Sequence, residues 1–128
     1  MITGILLIME EKWRVISYRT LNGDYPVKQF IDSLEIRAQS KIQDAVKLLQ
    51  EFNVRLGPPH IKKLTGTELW ELRIIGSDNL RILYVTIIGK TFVLLHGFMK
   101  KKDKTPPKEI RIAESRLTEL RLRMKLRD

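Results

Sequence analysis

The sequence of 128 residues predicts a single α+β domain: a small twisted antiparallel sheet carrying helices. Three observations point to it. The length suits one hydrophobic core. Residues 69–98 read as strands in quick succession, and two stretches, residues 26–52 and 105–126, carry apolar residues at helical spacing. The expected order is β-α-α-β-β-β-α, with an N-terminal helical hairpin, a C-terminal helix and the second sheet face left partly open.

Taken in order, Ile2 to Met9 is nearly all apolar, broken only by Thr3 and Gly4. It is far shorter than the roughly 20 residues that cross a bilayer. No basic residue precedes it and no small-residue cleavage pattern follows, which argues against a secretory signal. Residues 1–8 could be an N-terminal extension to the domain; a strand, a disordered tail, a subunit contact and a natural start at Met9 all stay open. Trp13 to Arg19 alternates and is rich in β-branched and aromatic residues, so it reads as a strand. After the turn cluster Asn22-Gly23-Asp24, Pro26 suits the first turn of a helix, where its missing N–H has no partner to lose. Val27, Phe30, Ile31 and Leu34 give that helix an apolar stripe. A second helix over Ala38 to Phe52 faces inward through Ile42, Ala45, Val46, Leu49 and Phe52, and Gly57-Pro58-Pro59 ends it.

Three strands follow: Leu69 to Ile75, Leu80 to Ile88 and Thr91 to Phe98. Gly76-Ser77-Asp78-Asn79 and Gly89-Lys90 are the turns, the second a good hairpin signal. The last two strands are apolar on both faces, as in the middle of a covered sheet. In the first, Trp70, Leu72 and Ile74 point to the core and Glu71 and Arg73 to the less buried face. Thr105 could cap a final helix running from Lys108 through Leu126, with Ile110, Ala113, Leu117, Leu120 and Met124 as its apolar stripe. No repeat or linker divides the chain, so residues 1–128 are expected to be one domain.

Composition narrows the function. The chain has no cysteine, which excludes a disulfide, a thiolate zinc site and a cysteine nucleophile, and fits a reducing, cytoplasmic setting. Lys plus Arg is 24 against 15 Asp plus Glu, a net charge of +9. Residues 99–128 hold 11 of the cations and 5 of the acids, a surplus of +6. Such charge favours a polyanionic partner, with mere solubility as the plain alternative. The histidines, His60 and His96, are far apart and lack carboxylates at ligand spacing, so no metal and no other cofactor is expected. Hairpin pairing should bring Arg73, Arg81, His96 and the run Lys100-Lys101-Lys102 to one edge of the sheet as a basic cleft. A cleft of that kind suits metal-independent RNA cleavage, which needs a base, an acid and cations for the phosphorane. Tyr84 could stack on a base. Each residue also has a structural alternative. His96 could be hydrogen-bonded scaffold, Arg73 could pair with Glu71, Tyr84 could be core and the lysines a solvated loop. His60, after two prolines, reads as surface.

The stretches KLTGTELWELRIIGSDNLRILYV and VLLHGFMKKKDKTPPKEIRIAESR add more. Together they resemble the phage-derived, HigB-like toxins of the RelE/ParE type II toxin–antitoxin superfamily. The likeness lies in Lys-Leu before a glycine turn, an LWELR strand, a following strand with Arg and Tyr, an H-x-F-x-K-K element and a T-P-opened helix carrying A-x-x-R. It covers about Trp13 to Met124 and implies a RelE-like fold and a ribosome-dependent mRNA endonuclease that inhibits translation. It implies Arg81 on the scissile phosphate, Arg73 as a structural or RNA-binding arginine, and Lys100 and Lys101 as transition-state cations, with His96 nearby. Lys62, Lys63, Tyr84, Lys102 and Lys104 are the expected RNA-binding residues. The implied partners are ribosome-bound mRNA, rRNA against the basic C-terminal helix, and an antitoxin of the helix-turn-helix, HigA-like kind in a toxin–antitoxin hetero-oligomer; no membrane is involved. The chain departs from RelE, which has two lysines where this chain has Leu69 and Glu71 and a tyrosine in its C-terminal segment. Here no tyrosine follows Tyr84, so the general acid and base do not transfer. A ParE-like gyrase inhibitor and a catalytically inactive RNA-binding relative are the competing expectations.

Overall fold

The computed structural model describes residues 13–76, 79–87, 89–101 and 104–127. The run Ile2–Met9 and the expected positions of Ser77, Asp78, Ile88 and Lys102 lie outside the described residues. In chain order the elements are β1 (Arg14–Ser17), α1 (Pro26–Asp32), α2 (Ile36–Phe52), a 3-10 turn (Asn53–Leu56), β2 (Ile61–Lys63), β3 (Trp70–Arg73), β4 (Leu80–Ile87), β5 (Thr91–Met99) and α3 (Pro107–Arg127). None of the described helices is long and apolar enough to cross a membrane.

The expected element order holds, with one strand added. The sheet runs β1-β5-β4-β3-β2. The β3–β4–β5 meander is antiparallel as its turn signals require. Two features change its edges. Ile61–Lys63 pairs antiparallel with β3, a strand too short to show alternation in sequence. At the other edge β1 lies parallel to β5, so the sheet is mixed rather than antiparallel throughout. The intervening helices carry the chain across the sheet and allow that parallel return.

Both faces are covered, which corrects the expectation of a partly open one. Val27, Ile42, Ala45 and Leu49 of α1 and α2 pack on Leu72, Ile74, Ile82, Tyr84, Phe92 and Leu94. On the opposite face Ala113 and Leu117 of α3 pack on Leu83, Val85, Val93, Leu95 and Phe98. Strands apolar on both sides need cover on both sides, and α3 supplies the second layer. Its stripe is buried or half-buried as far as Leu120, whereas Met124 is 44 % exposed.

Local chemistry sets these contacts. Pro26 opens α1, as its position requires. The β4–β5 hairpin turns through Gly89 at φ +88° and Lys90 at φ +54°, the left-handed pair that matches strand twist. Phe92 stacks on Trp13 at 4.7 Å and meets the edge of Tyr84 at 5.5 Å. A Cβ at Gly97 would lie 2.5 Å from Cδ2 of Phe30, so α1 closes on β5 because residue 97 has no side chain. Leu83 pairs with His96 but Tyr84 pairs with Leu94, leaving Leu95 as a bulge residue. The bulge lets Leu95 join the core beneath α3 while His96, opposite Leu83, lies on that same face.

Candidate nucleic-acid interface

The cations gather through strand register. Arg73 of β3 stands opposite Arg81 of β4, which stands opposite Phe98 of β5. One step along, Lys62 of β2 stands opposite Glu71 of β3, and Glu71 opposite Leu83. Like charges placed directly opposite each other repel. Glu71 relieves that repulsion. Its Oε1 lies 3.3 Å from Arg81 Nε, 3.5 Å from Arg73 Nε and 3.9 Å from Lys100 Nζ. The Arg81 Nε–H is out of line for a full hydrogen bond. Oε2 accepts a hydrogen bond from the Thr105 hydroxyl.

Glu71 was expected on a less buried face; it is 0 % exposed, because α3 and the segment leading into it close over this side. Lys100, expected as a cation of the basic cleft with a solvated loop as the alternative, is 6 % exposed, and its backbone N–H donates to the Asn79 carbonyl at 2.8 Å. Burial pushes the Lys100 ammonium below its ordinary pKa; Glu71 opposes the shift and Arg81, Arg73 and Lys62 reinforce it. Burial likewise lowers Arg81, with Glu71 raising it and Arg73 lowering it further. Arg81 also donates from Nη1 to the Leu80 carbonyl at 2.9 Å. The cluster thus holds three cations on one carboxylate and keeps a positive surplus, with Lys62 and Lys101 exposed. Terminal guanidinium nitrogens of Arg73 have no protein partner among the described residues, and Arg73 is half-buried. A phosphate is the kind of anion such a fork takes bidentately.

His96 belongs to a different arrangement. Arg116 donates from Nη1 to the Leu95 carbonyl at 2.7 Å and to His96 Nδ1 at 3.2 Å. A guanidinium only donates, so Nδ1 accepts, the ring is neutral, and Nε2–H donates to Glu109 Oε2 at 2.8 Å. Burial lowers the His96 pKa, Glu109 acts against this, and Arg116 and Lys108 act with it. The ring also stacks on Phe98 at 5.6 Å. His96 therefore seats α3 on the sheet, and both ring nitrogens are engaged.

The structure thus unites Arg73, Arg81 and Lys100 on Glu71, with Lys62 alongside, whereas His96, on the same face across Leu83, bonds Glu109 and Arg116 instead. Tyr84 is corrected: it is 2 % exposed, lies on the α1–α2 face against Phe92, and has its pKa raised by burial, so it does not meet a base. Lys63 is exposed opposite Trp70, its ammonium bonded to the Thr67 carbonyl. Lys104 is exposed before α3. Thr105, expected as a helix cap, bonds Glu71 instead. Two residues matter more at this corner than the sequence reading made them. Glu71 organises the cluster, and a glutamate flanked by arginine on a strand was the signal. His60 was read as surface, yet its carbonyl accepts the Arg73 N–H at 2.8 Å, which puts it at the same corner. Its signal was the hairpin register through Gly66, invisible until β2 is placed.

Together, the sheet, its two helical layers and the cationic corner define a small basic α+β protein of RelE-like fold. A chain of the archaeal RelE–RelB complex from Pyrococcus horikoshii OT3 matches it with a TM-score of 0.54 at 20 % identity, covering 72 % of this chain and 99 % of that one. Residues 29–118, well over half of the chain, match the family described as "Phage derived protein Gp49-like (DUF891)". The chain belongs to this phage-derived Gp49-like family. No curated protein matches it.

Proposed function

We propose that the chain is the toxin of a type II toxin–antitoxin pair and acts as a ribosome-dependent, metal-independent mRNA endonuclease. The observation that carries this reading is the corner where Arg73, Arg81 and Lys100 converge on one buried carboxylate beside Lys62, leaving positive charge in excess. In the reaction the ribose 2′-OH attacks the adjacent phosphorus and the bond to the 5′ oxygen breaks. The products are a 2′,3′-cyclic phosphate and a 5′-hydroxyl. Arg81 and Arg73 stabilise the charge on the phosphorane. One group takes the 2′-OH proton and one supplies a proton to the 5′ oxygen. The His60 carbonyl accepts the Arg73 N–H, so His60 is the histidine whose backbone adjoins this corner, and a side chain of that type can take or give a proton. The ribosome would hold the mRNA in the geometry for attack, and exposed Lys108, Arg111 and Lys125 on α3 would contact rRNA phosphates. The similar fold crystallised as a RelE–RelB complex supports an antitoxin partner, which we place in the HigA-like, helix-turn-helix class.

One observation favours a second reading, binding without cutting, as in an inactive relative or a gyrase inhibitor. His96 is neutral and engaged at both nitrogens, so it is not free to transfer protons. Brief induction in a bacterial host separates the readings. Primer extension on an abundant transcript is compared for wild type and Arg81→Ala, with and without a drug that blocks translation initiation. Cuts that need Arg81 and ongoing translation are expected. Growth arrest with intact transcripts would move the assignment to gyrase, and neither arrest nor cuts to an inactive relative.

A further inference from the structure

We propose that Glu71 is a positioning residue of the phosphate site: a buried carboxylate that aims Arg73 and Arg81 outward at the substrate and ties the loop entering α3 to the same point. The proposal rests on the RNA-cleaving reading given above.

Carboxylates are seldom fully buried unless paired, and an apolar residue would fill the same space at less electrostatic cost. Packing alone therefore does not account for Glu71, which has no exposed surface. Its contacts do. It meets both arginines through Nε, on the inner edge of each guanidinium, at 3.3 and 3.5 Å. Contact there directs the terminal nitrogens away from the carboxylate. One Arg81 nitrogen is then fixed on the Leu80 carbonyl, while those of Arg73 remain without a protein partner among the described residues. Arg73 and Arg81 stand directly opposite each other on neighbouring strands, where mutual repulsion would splay them. A single negative charge between three positive ones holds the pair together and still leaves net positive charge for a phosphate. The other carboxylate oxygen, bonded to Thr105, joins the segment between β5 and α3 to this corner. Glu71 thus links β3, β4, the end of β5 and the entry to α3 at one group.

The test uses the purified full chain and Glu71→Gln, which keeps the shape and removes the charge. Arginine side-chain NMR is the direct reading. In wild type the Arg73 Nε–H signal, the one hydrogen-bonded to Glu71, should exchange slowly with solvent, and in Glu71→Gln quickly. Cleavage of ribosome-bound mRNA should fall about 100-fold, the scale expected for misplacement of catalytic groups by about an ångström. Binding to the same complex carrying a 2′-deoxy scissile nucleotide should stay within about threefold, since every cation remains. Glu71→Asp restores the charge but not the reach and should recover only part of the rate. A residue that merely holds the fold would lose binding, rate and thermal stability together, and that outcome overturns the proposal, as would wild-type rates in Glu71→Gln. Should Glu71→Gln not fold, Thr105→Val exchanges only the hydroxyl for a methyl group and so removes the bond to Glu71. It should slow cleavage about tenfold with binding unchanged, and an unchanged rate in the folded variant would overturn the proposal. If wild type itself does not cut, the cleavage reading fails on its own, and the exchange of the Arg73 Nε–H group still decides the positioning.

Discussion

Mild acid should loosen the seat of α3, and His96 is the group through which it acts. The ring is neutral in the native chain, donating to Glu109 and accepting from Arg116, and burial holds its pKa below the ordinary value of 6.5. The unfolded chain therefore binds a proton at a higher pH than the folded chain does. Stability must then fall as pH drops below about 6.5, and the loss stops growing below the folded pKa. One proton limits the slope to about 1.4 kcal/mol per pH unit. With a urea m-value of about 1–3 kcal/mol per molar, a loss of about 1 kcal/mol lowers the midpoint by roughly 0.3–1 M. The assay is urea unfolding at pH 7.5, 6.5 and 5.5 for wild type and His96→Gln. Wild type should weaken between pH 6.5 and 5.5, while the variant, which cannot titrate there, should stay flat. The variant should also start about 1–2 kcal/mol less stable at pH 7.5, having lost the Arg116 contact. The carboxylates Glu68 and Glu119, both held below their usual range by arginine partners, titrate at lower pH and leave this window clear. Equal slopes in the two proteins, or a wild type that gains stability in acid, would refute the neutral, doubly engaged ring.

Other predictions follow from packing and from the cluster. Gly97→Ala should cost about 1–3 kcal/mol by overpacking against Phe30, and trimming that ring with Phe30→Leu should return part of the loss in a double-mutant cycle by thermal melting. Phe92→Ala removes the ring between Trp13 and Tyr84 and should cost about 3–5 kcal/mol in chemical denaturation; a loss under 1 kcal/mol would contradict the core as described. Arg81→Ala should abolish growth inhibition while the circular dichroism spectrum is kept, because Glu71 retains Arg73 and Lys100.

Much of the fold was legible because its signals are local. Pro26, the Gly89-Lys90 turn and the helical spacing of Ile42, Ala45 and Leu49 each depend on near neighbours, and each element lies where those residues put it. The parallel partnership of β1 with β5 depends on contacts far apart in sequence, which no local pattern reports. The second covered face was partly legible. Strands β4 and β5 are apolar on both sides, which already implied a second layer, and the stripe of α3 was recognised without being assigned to it. At the site, Arg73 and Arg81 were found by alternation and resemblance, and register confirms that they stand side by side. Glu71 was misjudged in burial because charged residues are usually solvated, and Lys100, expected as a cation of the cleft, is buried beside it. They are buried here by pairing with each other and with the arginines. Tyr84 illustrates the reverse: parity along β4 puts residue 84 with Ile82 on the core face and Arg81 with Leu83 on the other. His96 was drawn to the cluster by its lysine neighbours in sequence, but the bulge at Leu95 and the reach of Glu109 and Arg116 commit it to α3.

The most direct test of RNA cleavage at the cationic corner is made with purified components. The full chain is added to ribosomes stalled on a defined mRNA, beside Arg81→Ala and His60→Ala, and the ends of every fragment are mapped chemically. Wild type should cut within the ribosome-bound codons and leave 2′,3′-cyclic phosphate and 5′-hydroxyl ends; Arg81→Ala should lose at least about 100-fold in rate, the scale set by removing a group that stabilises transition-state charge. Intact mRNA with wild-type protein bound, or fragments bearing 5′-phosphate ends, would contradict the account.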